Sequence, residues 1–102
     1  MRLIECRNGI EVYDVENGYT ISKEIAKWIP GGSLIKFYSK HDSYLPEIFQ
    51  NNLIGGEGDA DFSIQTTSYG SLPPEEIKKV ISGYEVAMQT IEAVRNEFFK
   101  KG

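Results

Sequence analysis

Three groups of residues in this chain have the types and spacing that chemistry would need. Glu57, Asp59 and Asp61 alternate, so an extended backbone sets three carboxylates on one side. Clustered oxygens of that kind suit a hard cation such as Ca²⁺. Cys6, His41 and Asp42 supply a thiol, a base and a carboxylate, the parts of a cysteine nucleophile. Thr66-Thr67-Ser68-Tyr69-Gly70-Ser71 places hydroxyls just before a helix start, where anions are attracted.

Each group has a plainer reading. Gly55-Gly56-Glu57-Gly58-Asp59-Ala60-Asp61 resembles the Gly-Gly-x-Gly-x-Asp-x-apolar repeat of calcium-binding β-rolls. The resemblance implies a Ca²⁺ loop, but Ala60 stands where those repeats carry the ligand Asp. They also work by stacking several copies, and this chain has one. A solvated acidic loop is therefore expected over 55–61, with no metal. Adjacent His41 and Asp42 need not orient each other, and no sequence feature brings Cys6 near them. A cysteine inside a strand-like run is by default a small, buried, unreactive apolar residue. Pro73 and Pro74 remove two N–H donors from the anion reading, and Glu75 and Glu76 already supply negative charge there. No catalytic residue, metal ligand or cofactor is assigned.

Contact residues stand out more clearly. The stretch from Lys36 to Leu45 mixes aromatic and polar residues, and tyrosine offers contact area at little entropic cost. Tyr38, Tyr44 and Tyr69 are the expected partner-binding tyrosines.

The elements that must position these groups read as α+β in the order β-β-β-α-β-β-α. Asn8-Gly9 and Asn17-Gly18 suit two-residue type I′ turns, giving a meander of strands over 2–7, 10–15 and 19–21. Two-residue turns oppose Arg7 to Ile10 and Glu16 to Tyr19, so Leu3, Ile10, Val12, Tyr19 and Ile21 share a face. Ser22 would cap a short helix through Ile29, ended by Pro30-Gly31-Gly32. A fourth strand covers 34–39, one or two helical turns 46–52, and a fifth strand 60–67. The expected sheet is five-stranded and mainly antiparallel.

From Pro74 to Lys100 apolar residues recur in heptad spacing, at Ile77, Tyr84, Ile91 and Phe98 and at Val80, Ala87 and Val94. At 1.5 Å per residue this helix spans about 40 Å, against a body about 33 Å across. Ser82-Gly83 is a candidate bend. The proximal part, through Met88, is expected on the sheet. Ile91, Val94, Phe98 and Phe99 are expected to overhang it and meet a partner.

Composition narrows the function. A chain of 102 residues is read as one domain, 1–102. Net charge is −4, and the basic cluster Lys100-Lys101 reads as a helix end, which argues against nucleic acid. The single cysteine permits no intrachain disulfide, and no apolar run is long enough to span a membrane. The start of the chain does not read as a signal peptide, so a soluble cytoplasmic protein is expected. The reading is a small acidic protein that binds another macromolecule, as an inhibitor, immunity-type protein, adaptor or chaperone, with a homodimer as one form. The alternative is a small-molecule or metal-binding module, enzymatic or not, centred on the 55–61 loop and the His41 segment.

Overall fold

The computed structural model describes residues 1–26, 32–39, 44–51 and 61–99. Asn8 and Gly9 both hold positive φ, 54° and 80°, as a type I′ turn requires. The turn joins β1 (Arg2–Arg7) to β2 (Ile10–Asp14), with Arg7 opposite Ile10 as expected. Next come β3 (Tyr19–Ala26), β4 (Gly32–Ser39), β5 (Ile48–Gln50), β6 (Phe62–Ile64) and α1 (Pro74–Phe98). Strands β1 to β4 form an antiparallel sheet in sequence order, while β5 and β6 pair as a separate antiparallel hairpin. The α+β class and the C-terminal helix hold. The single five-stranded sheet does not: among the described residues there are four strands in one sheet and two in another.

Three local expectations are corrected. The segment read as a helix from Ser22 is the second half of β3, at least as far as Ala26; residues 27–31 lie outside the described residues. Five residues of β3 pair with β2 and eight with β4, which outweighs a capping signal of about 1 kcal/mol. Residues 48–50, read as a helical turn, form β5. Of the strand read over 60–67, the described residues 61–67 form strand only at Phe62–Ile64.

The second turn is longer than two residues. Asp14 opposes Thr20, and Val15 N–H donates to Tyr19 O at 3.1 Å, so Glu16, Asn17 and Gly18 form a three-residue loop. That one-residue slip turns β3 over relative to β2. Tyr19 and Ile21 therefore share the helix-facing side with Val15 and Tyr13, whereas Ile10 and Val12 alternate onto the opposite side.

Pro74 opens α1 because its missing N–H falls where a helix has no internal partner. The helix packs on the sheet through two linked clusters: Tyr19, Ile48 and Ala87, then Ile21, Ile35 and Val94. The hairpin is tied on by Gln50, whose side-chain amide accepts from Ile35 N–H at 2.7 Å and donates to Ser33 O at 2.9 Å. One side chain thus imitates a strand partner along the free edge of β4. At the other edge β1 is exposed along its whole length, and a bulge at Ile4 breaks its ladder between Leu3 and Glu5. Cys6, expected to be buried, is exposed because the helix does not reach this edge strand.

Candidate functional site

The helix runs along the same direction as β3: Ala87 packs with Tyr19, Val94 with Ile21, and the Phe98 ring lies 5.1 Å from that of Tyr13. Four expected partner residues are thereby drawn into the chain's own core. Val94 is fully buried, and Ile91 packs on the Tyr19 cluster. Phe98 carries Lys23 Nζ 5.2 Å above its ring, and Phe99 lies 6.1 Å from Phe62. The distal helix end does not overhang the sheet but covers it, and these four side chains pack there within the chain. It is the proximal half that projects past the β2–β3 turn.

That proximal half is where two of the expected tyrosines meet. The rings of Tyr44 and Tyr69 contact edge-on with centroids 5.5 Å apart, although 25 residues separate them in sequence. The Tyr44 hydroxyl donates to the Glu76 carboxylate, which holds the Glu76 pKa below and the Tyr44 pKa above its ordinary value. Glu76 also pairs with Lys79 at 3.5 Å, and Thr67 N–H donates to the Tyr84 hydroxyl at 3.1 Å. Gly83 lets the chain at Tyr44 press against the helix, since a Cβ there would sit 2.5 Å from Tyr44 O. Beside this contact runs a groove of about 490 Å³, lined by Tyr44, Leu45, Lys78, Ser82 and Val86 among others.

On the outer flank of the same half-helix, Ile77, Ile81 and Met88 are 41%, 54% and 55% exposed. Tyr84 completes their spacing of four, three and four residues and is half-buried. The proximal heptads thus carry the uncovered apolar side chains, and the distal ones pack into the core.

Tyr38 stands apart. It is exposed on β4 beside a second groove of about 420 Å³ between β4 and β5, near the exposed Phe49. His41, Asp42 and residues 55–60 lie outside the described residues, so the thiol–histidine pairing and the acidic loop find no geometry here. Among the described residues no three His, Cys, Asp or Glu side chains gather as a metal site, and no helix is long and apolar enough to cross a membrane.

Two residues that shape this region were missed. Asn17 accepts from Tyr19 N–H at 3.2 Å and donates to Thr90 Oγ1 at 2.8 Å, and Thr90 donates to Val86 O at 2.7 Å. Thr90 is a buried hydroxyl on the inward face of α1, with Ala87 and Val94. It falls outside the apolar heptad positions that run through Ile77 and Val80, so the spacing carried no signal of it. The chain matches no family model, and no curated protein or solved structure shows significant similarity to it.

Proposed function

We propose that this chain is a small cytoplasmic protein that acts by binding another protein, through the proximal half of α1 and the Tyr44–Tyr69 pair beside it. The observation that carries the reading is the row of exposed Ile77, Ile81 and Met88 on one flank of a helix whose distal end is well covered. Scattered apolar residues are ordinary on a surface, but a row of them on the half-helix that also meets a tyrosine pair is the composition of an interface centre. The lone cysteine, exposed in β1, is at home in a reducing compartment.

Affinity capture with the whole chain, beside Ile81→Glu and Tyr69→Ala variants, tests this. The expected result is a protein retained in stoichiometric amount by the parent and lost by at least about tenfold with either variant, which corresponds to about 1.4 kcal/mol of binding. Equal retention by all three chains, with unchanged thermal unfolding, overturns it.

A further inference from the structure

We infer that the occupant of the outer flank of α1 is a second copy of this chain, docked antiparallel along Ile77, Ile81, Tyr84 and Met88. This rests on the reading above and names the partner.

The spacing is that of a two-helix seam, with Ile81 and Met88 at one core position and Ile77 and Tyr84 at the other. Among the described residues the chain's own body leaves Ile77, Ile81 and Met88 of this seam exposed. It buries a face running through Gly83, Ala87, Thr90 and Val94, about a third of a turn away at 100° per residue. Tyr84 is held ready, because its hydroxyl already accepts from Thr67 N–H. A ring fixed before contact loses little freedom on binding.

Charge selects the partner and its direction. Lys78 and Glu85 are exposed, lie seven residues apart and share one flanking position of the seam. Among the described residues neither forms an ion pair. In a parallel pair this flank would face the position of Val80, Ala87 and Val94, of which Ala87 and Val94 are buried in the chain's own core. In an antiparallel pair the flank faces itself. Lys78 then meets Glu85 of the second copy, and two-fold symmetry repeats the contact. The same alignment sets Ile77 against Met88 and Ile81 against Tyr84, about an axis between Ser82 and Gly83. One register satisfies both the apolar and the charged positions.

Sedimentation equilibrium of the full chain tests this. The expected result is a dimer at micromolar concentration. Ile81→Glu should weaken it by at least about a hundredfold while the far-ultraviolet circular dichroism of the folded chain is kept, since that side chain is half-exposed in the monomer. Lys78→Glu should weaken it by about tenfold, and adding Glu85→Lys should restore it. A monomer at high micromolar concentration, a dimer indifferent to Ile81→Glu, or a double variant that fails to recover overturns the inference. If the chain is monomeric yet captures a different protein in a manner dependent on Ile81, the self-docking fails and the proposed function stands. If neither occurs, both fall.

Discussion

Thr90 and Asn17 do at the residue scale what no apolar contact would: they fix the β2–β3 loop to the helix by a directed bond. Thr90→Val keeps the volume but leaves the half-buried Asn17 amide without its acceptor. The expected cost is about 1–2 kcal/mol, a fall of roughly 5–10 °C in Tm by scanning calorimetry. Tyr19 makes a second such bond, its hydroxyl donating to Pro46 O, and burial raises its pKa to about 12. The folded state therefore holds this proton more tightly than the unfolded chain, whose tyrosine loses it near 10. The stabilisation is complete below pH 10 and disappears as pH rises from there through 12. Denaturant midpoints should be steady up to about pH 9 and then fall. Tyr19→Phe should start lower, having lost the hydrogen bond, and fall less steeply. An equally steep fall in Tyr19→Phe would assign the alkaline loss to other groups. None of these roles was visible from residue type alone, since a tyrosine in a strand and a threonine in a helix carry no mark of their distant partners.

At the element scale the sequence was most readable where local chemistry is strict. Asn8-Gly9 dictates a type I′ turn, Pro74 a helix start, and both stand where expected. Asn17-Gly18 misled because Glu16 also adopts positive φ, 67°, which lengthens the loop by one residue. That single residue sets Tyr13 and Val15, rather than Ile10 and Val12, on one face with Tyr19 and Ile21, so a small backbone detail decides which side chains make the core. β3 was cut short for a related reason: the Ser22 cap is a local signal, whereas pairing on both edges depends on strands distant in sequence. Gly83 shows the same gap between local and tertiary meaning. As a local signal it marks a bend, but in the fold it admits the backbone at Tyr44. Gly83→Ala should improve helix propensity by about 1 kcal/mol yet destabilise the protein by a net 1–3 kcal/mol or so, because the added Cβ meets a carbonyl oxygen. Urea unfolding decides it, and a stabilised variant would mean that the Tyr44 segment yields easily.

The whole molecule is elongated, 48 × 25 × 23 Å, because α1 projects past the sheet at its N-terminal end. Length alone foretold that some part of the helix would overhang but not which end; the answer depended on β3 running on to Ala26 and giving the distal half a full sheet to cover. The tyrosine pair was half legible, since composition picked out Tyr44 and Tyr69 but only folding joined them. The bulge at Ile4 carries a consequence for how this protein survives concentration and time. A regular β1 would be a straight, water-facing row of amides, a seed on which chain after chain could stack into fibrils. Removing Ile4 would bring Leu3 and Glu5 into continuous register with Tyr13 and Val12, leaving the fold intact while erasing the kink. Such a deletion variant should melt close to the parent yet, over days at high concentration, scatter light and bind thioflavin while the parent stays clear. The extra residue in a six-residue strand is then a safeguard against self-templating, built into the edge that the helix leaves bare.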